Sequence, residues 1–151
     1  MKKEDKKHVD LNNARDGIYK DVIKNIKDAS ICPFCKEHLK KIHPNPIEEK
    51  KYWWITNNAY PYKPTKQHLL IIHKEHIDNI DDLHPSAWKE LFEIIKEENI
   101  KKEIKGGTYM MRFGETKYTG ASVTHLHCHI IQSNPDDTSY DKKTGILTRV
   151  G

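Results

Sequence analysis

A chain of 151 residues is expected to make one domain with a sizeable core, and 36% hydrophobic against 32% charged residues predicts a densely charged surface. The net charge of +4, from 26 basic and 22 acidic residues, is too mild to imply a nucleic-acid partner by itself and suits small anionic substrates equally well. Three cysteines do not make a disulfide framework, so a reducing cytoplasm is the expected setting, and the apolar run Leu69-Leu70-Ile71-Ile72 is far too short to span a bilayer.

Residues 1–12 open with a solvated charge run, Met1-Lys2-Lys3-Glu4-Asp5-Lys6-Lys7, and are expected to be a disordered tail. No apolar segment follows, so no secretory leader is expected. Residues 13–135 then read as a single domain and 136–151 as a polar C-terminal tail. From Asn13 to about Lys27, Ile18, Val22 and Ile26 recur at i, i+4 and i+8, with Tyr19 and Ile23 beside them. This predicts an amphipathic helix, weakened slightly by Gly17.

Cys32-Pro33-Phe34-Cys35 follows. Two thiols at this spacing can grip one tetrahedral ion, and zinc favours sulfur ligands. A redox pair is the alternative, although no thioredoxin-like βαβ pattern follows. A local finger completed by His38 and His43 is another, with a loop much shorter than a finger's usual spacing.

Tyr52-Trp53-Trp54-Ile55-Thr56 is aromatic and β-branched and predicts a strand. Asn57 to Pro64 breaks it, and His68-Leu69-Leu70-Ile71-Ile72 predicts a second, largely buried one. A helix is expected from about Pro85 to Lys102, with Pro85 in its first turn and a core-facing stripe of Trp88, Leu91, Phe92 and Ile95. Gly106-Gly107 ends it, and a third strand covers Thr108 to Phe113.

The fourth strand, Ser122 to Ile131, carries His125-Leu126-His127-Cys128-His129-Ile130-Ile131. Alternate side chains of a strand share one face, so three imidazoles line up on one side while Leu126, Cys128 and Ile130 point into a core. A helix would scatter the same histidines over about 200°. Strands around a helix, without a βαβ rhythm, argue for an α+β domain on a mostly antiparallel sheet.

These residues resemble a known family. The run from His125 to Ile131 is similar to the His-φ-His-φ-His-φ-φ signature of the histidine triad (HIT) superfamily. Asn58-Ala59-Tyr60-Pro61-Tyr62, His68 to Ile72 and His76 resemble its second block, and Cys32-Pro33-Phe34-Cys35 the cysteine pair of its zinc-bearing members. Gly120-Ala121-Ser122 looks like the diadenosine tetraphosphate phosphorylase and galactose-1-phosphate uridylyltransferase branches. Gln67, His73 and Gln132 depart from the family pattern.

The resemblance implies an α+β fold with about five antiparallel strands, one main packed helix and an extra N-terminal helix, paired into a homodimer. It implies nucleotide hydrolysis or nucleotidyl transfer at the α-phosphate. His127 would be the nucleophile, with His129 and His68 beside it. Gly120, Ser122 and Asn58 would bind substrate, a nucleotide or dinucleoside polyphosphate. A structural zinc would be held by Cys32, Cys35, His76 and His125. Water, inorganic phosphate or a sugar phosphate could accept the nucleotidyl group. Removal of adenylate from nucleic acid, as in aprataxin-like members, and a non-catalytic nucleotide-binding module are the competing readings. The residue chemistry agrees with the catalytic one. A neutral imidazole is a good nucleophile near pH 7, and a covalent nucleotidyl-histidine splits one hard displacement into two easier ones.

Overall fold

Five antiparallel strands build one sheet in the order β1-β2-β3-β5-β4: β1 is Ile47–Glu49, β2 Trp53–Asn57, β3 Thr65–His73, β4 Thr108–Arg112 and β5 His127–Ser133. The structure is a computed structural model and describes residues 8–151. Among these residues four α-helices accompany the sheet: α1 Ile18–Asp28, α2 Lys36–Ile42, α3 Pro85–Lys101 and α4 Thr116–Thr119. The α+β class and the five-stranded antiparallel sheet are as expected from the sequence.

The two central strands, β3 and β5, place Leu70 opposite His129 and Ile72 opposite His127, while β4 places Arg112 opposite His127. Side chains alternate between the faces. On one face Trp53, Ile55, Leu69, Ile71, Leu126, Cys128 and Ile130 form the main core with Leu83 and with Ala87, Leu91 and Ile94 of α3. Cys128 is thus a buried apolar side chain, as its alternation predicts. On the other face Leu39 of α2 packs on Trp54, Leu70 and Ile72. Beyond them Ile23 and Ile26 of α1 pack with Val9 and Val123.

Gly107 lets β4 approach its neighbour, because a Cβ there would lie 2.6 Å from the Ile131 carbonyl oxygen.

Several local expectations are corrected. Helix α1 begins at Ile18 rather than Asn13, because Gly17, at φ +89°, forms its N-cap. Ile23 and Ile26 face the core and Ile18 faces solvent. Helix α3 has the predicted span, but its buried line is Ala87, Leu91, Ile94 and Glu98. Trp88 is 41% and Phe92 68% exposed. Ala87, fully buried, lies against the sheet, and its carbonyl accepts a 2.8 Å bond from the Trp53 indole; Trp88, about 100° further round the helix, points outward.

Strand β5 starts at His127, later than the expected Ser122. The backbone before it is paired elsewhere, with Val9 bridging Val123 and the Leu126 N–H donating to the Ile77 carbonyl. The short elements β1, α2 and α4 fall where no helix or strand is predicted.

Of the predicted tail 1–12, residues 1–7 lie outside the described residues. Val9 is buried against Val123, and Asp10 caps a short 3₁₀ turn over Leu11–Asn13. The C-terminal segment reaches back to the sheet, where Arg112 Nη2 donates to Thr148 Oγ1 at 2.9 Å.

Candidate active site and metal cluster

The register explains how the histidines meet. His127 and His129 lie two apart on β5 with ring centroids 4.9 Å apart, and His68 of β3 lies diagonally across from His129 on the same face. His68 Nε2 is 2.9 Å from His129 Nδ1. All three rings are buried.

Main-chain groups fix which ring nitrogens carry protons. The Tyr62 N–H, which can only donate, bonds His68 Nδ1 at 3.0 Å. The proton of neutral His68 therefore sits on Nε2 and is donated to His129 Nδ1, which leaves the His129 proton on Nε2. His127 Nδ1 lies 2.6 Å from the His125 carbonyl oxygen and must donate to it. The His127 Nε2 lone pair is thus free.

Burial keeps these imidazoles uncharged. It lowers His127 to about 4 and, helped by the positive charge of Arg15, lowers His68 to about 4. His129 is pushed well below the ordinary histidine range by burial and by its histidine and arginine neighbours. Chemically, an unprotonated ring and, two residues on, a committed N–H donor make a pair that can offer a lone pair and a hydrogen-bond donor side by side.

The cavity above His127 and His129 is lined by the other expected substrate-binding residues, Asn58, Gly120 and Ser122. Asn58 Nδ2 lies 3.2 Å from His68 Nε2, and its Oδ1 accepts from the Tyr60 N–H at 2.9 Å. Ser122 Oγ bonds the Tyr19 hydroxyl at 2.5 Å. Gly120 adopts a left-handed conformation at φ +68°, with Arg149 packed where a Cβ would point.

Sequence reasoning missed several other lining residues. Arg15 and Tyr19 come from the N-terminal segment, Arg112 from β4, and Leu147, Thr148 and Arg149 from the C-terminal tail. The arginines and Tyr19 signalled only charge or aromaticity without a partner in sight, and Leu147 and Thr148 gave no such signal.

Cys32, Cys35, His76 and His125 form a second cluster whose potential ligand atoms all lie within 4.8 Å of one another. Tetrahedral zinc with sulfur and nitrogen ligands has ligand–ligand edges of roughly 3.3–3.8 Å. The separations fit: Cys32 Sγ to His125 Nδ1 is 3.4 Å, Cys35 Sγ to His76 Nδ1 3.3 Å and Cys35 Sγ to His125 Nδ1 3.8 Å. His125 Nε2 lies 2.6 Å from the His73 carbonyl and so donates to it, which bares Nδ1 toward the thiols. Burial raises the Cys32 thiol and pushes Cys35, beside it, up to about 12. Such a pair ionises once a divalent cation binds. His38 and His43 are not in the cluster; His43 Nε2 instead bonds the Asn57 carbonyl at 2.9 Å.

A family model for the HIT domain matches residues 36–136. A search of curated proteins finds no match. Among solved structures, a "Hit Like Protein" is 24% identical with a TM-score of 0.53, the alignment covering 64% of this chain and 93% of that one. A histidine triad nucleotide-binding protein from Candida albicans is 15% identical with a TM-score of 0.55, covering 74% of this chain and 76% of that one. A Zn-bound histidine triad family protein from Mycobacterium smegmatis is 17% identical with a TM-score of 0.51, covering 66% and 73%. At these identities the structural likenesses establish the fold.

Proposed function

In a chain that belongs to the HIT domain family, as the match over residues 36–136 establishes, we propose that His127 Nε2 attacks the α-phosphorus of a nucleotide. The observation that carries this reading is the proton arrangement: a bare Nε2 on His127 beside an Nε2–H on His129. In the first step the N–P bond forms, and the bond to the leaving-group oxygen breaks with its electron pair departing on that oxygen. The His125 carbonyl, 2.6 Å from His127 Nδ1, stabilises the cationic ring of the nucleotidyl-histidine. His129 donates Nε2–H to a non-bridging phosphate oxygen and His68 holds it in that tautomer. In the second step an acceptor oxygen attacks phosphorus, the P–N bond breaks, and the acceptor's proton is released to solvent. Asn58, Gly120 and Ser122 contact the nucleotide.

A zinc ion on Cys32, Cys35, His76 and His125 would have four protein ligands and no open position, so it supplies structure rather than chemistry. It ties the cysteine segment to the start of the triad strand. The reduced thiols this requires suit the cytoplasm. No helix among the described residues is long and apolar enough to cross a membrane. Edge strand β4 and the exposed Trp88 and Phe92 of α3 support a homodimer.

The test is a product assay with diadenosine tetraphosphate and an adenosine phosphoramidate, each with and without inorganic phosphate, with His127→Asn in parallel. AMP release without phosphate identifies a hydrolase, and phosphate-dependent ADP release a phosphorylase. Undiminished turnover by His127→Asn removes the nucleophile assignment. Absence of any product from folded, zinc-loaded protein removes the catalytic reading of these substrates.

A further inference from the structure

Two arginines, Arg15 and Arg112, line the triad cavity, and among the described residues no carboxylate forms an ion pair with either. Arg112 stands directly opposite His127 across the β4–β5 pair, on the same sheet face. Its Nη2 donates to Thr148 Oγ1 at 2.9 Å and to the Arg149 carbonyl at 2.5 Å, while its Nε is buried with no partner. A buried cationic donor without an acceptor is costly, and a phosphate oxygen is a stronger partner than a carbonyl.

Arg15 approaches on the segment before α1. Its guanidinium carbon lies 4.6 Å from the centroid of the Tyr62 ring and 4.9 Å from that of Tyr19. Its Nη2 donates to the Tyr60 carbonyl at 2.6 Å. Tyr62 is stacked on His129, with centroids 5.9 Å apart and planes at 16°. Arg15 is thereby held near the reacting centre with donors to spare, since a guanidinium has five N–H groups. Arg149, the third arginine lining the cavity, donates from Nε to the Gly151 carbonyl at 3.0 Å and from Nη1 to the Asn12 carbonyl at 3.4 Å.

The α-phosphate is already served by His127 and His129. Two further unneutralised cations at the rim match additional phosphates, each of which adds negative charge. We propose that Arg15 and Arg112 bind the phosphates beyond the α-phosphate and so select nucleotides whose leaving group is itself a phosphate chain. This assignment rests on the α-phosphate reading above. Half of the cradle comes from Arg15, outside the matched residues 36–136.

Binding without turnover separates the two readings. Isothermal titration of zinc-loaded, full-length protein with AMP and with α,β-methylene ATP gives an affinity ratio for wild type, Arg15→Gln, Arg112→Gln and Arg112→Lys. Wild type is expected to favour the triphosphate. Each Gln variant lowers the ratio roughly tenfold or more, and Arg112→Lys, which keeps the charge, retains part of it. An unchanged ratio, or equal loss for both ligands, overturns the proposal even if the enzyme turns substrate over. A ratio that depends on both arginines supports it even if His127 proves not to be the nucleophile. Arg15→Gln, at an exposed side chain, decides the matter if Arg112→Gln does not fold.

Discussion

His68 Nε2 lies 2.9 Å from His129 Nδ1, and the Tyr62 N–H lies 3.0 Å from the other nitrogen of His68. A main-chain group in the loop between β2 and β3 thus determines which nitrogen of His129 holds the proton. Replacing His68 by Ala removes the donor at His129 Nδ1 and lets that proton migrate to the wrong side of the ring. Steady-state kinetics should show kcat lowered on the order of 10²-fold, the usual loss when one oxyanion donor is misplaced, with KM changed less. His68→Gln, whose amide can donate in place of Nε2–H, should recover part of kcat. A loss confined to KM would show that His68 serves only binding.

The same residue makes stability depend on pH. Burial first, and then the positive charge of Arg15, lowers His68 to about 4, below the ordinary histidine value of 6.5 that the unfolded chain presents. Between those values the unfolded state binds the proton and the folded state does not. The contribution from neutral His68 is therefore complete above about pH 6.5 and is lost as pH falls toward 4. Denaturant melts of wild type and His68→Gln at pH 7 and pH 5 should show the stability difference narrowing by about 2 kcal/mol at the lower pH. A difference independent of pH would mean that His68 is not neutralised by its surroundings.

The triad was legible because period-two alternation leaves little else for His-Leu-His-Cys-His to be. Its apolar partners, Leu126, Cys128 and Ile130, lie in the core as read. Local pattern failed where pairing is long-range. Val123 looks like strand, but its partner is Val9, far away in sequence. The α3 stripe was read from its largest apolar side chains, whereas Ala87, too small to weigh in such a pattern, sets which face packs. The cysteine pair admitted His38 and His43 as partners on residue chemistry alone, and only the meeting of three separate segments singles out His76 and His125. Arg15 and Arg112 were silent for the same reason: an arginine announces no partner until the fold supplies one, by register opposite His127 for Arg112 and by packing on Tyr62 for Arg15.

The Cys32–Cys35–His76–His125 cluster predicts a stoichiometric, stability-linked metal. Purified protein should carry about one zinc per chain by elemental analysis, in keeping with four ligands around one tetrahedral ion. Chelation, or Cys32→Ser, should remove it and lower the melting temperature by about 10 °C, corresponding to roughly 3 kcal/mol for a chain of this size. Cys128→Ser should leave the zinc content intact, because that thiol lies in the core on the opposite sheet face. Zinc-free protein with an unchanged melting temperature would show that the four residues pack without metal.

Self-association is predicted from the surface opposite to the one that covers the histidines. On β4, Tyr109 is 61% exposed at an open sheet edge, while α3 exposes Trp88 and Phe92 beside partly buried Ile95. Aromatic residues at an edge strand and on the adjacent helix are costly to leave in water and supply the apolar centre that a stable interface needs. Sedimentation velocity at micromolar concentration should therefore give a dimer for wild type. Phe92→Glu, or Tyr109→Asp on the strand, should shift it to monomer, since a charge buried in such a centre costs several kcal/mol without a partner. Neither residue lines the triad cavity, so the monomeric variants would also reveal whether pairing stabilises the site. A wild-type monomer, or a dimer that survives both substitutions, would place the contact elsewhere.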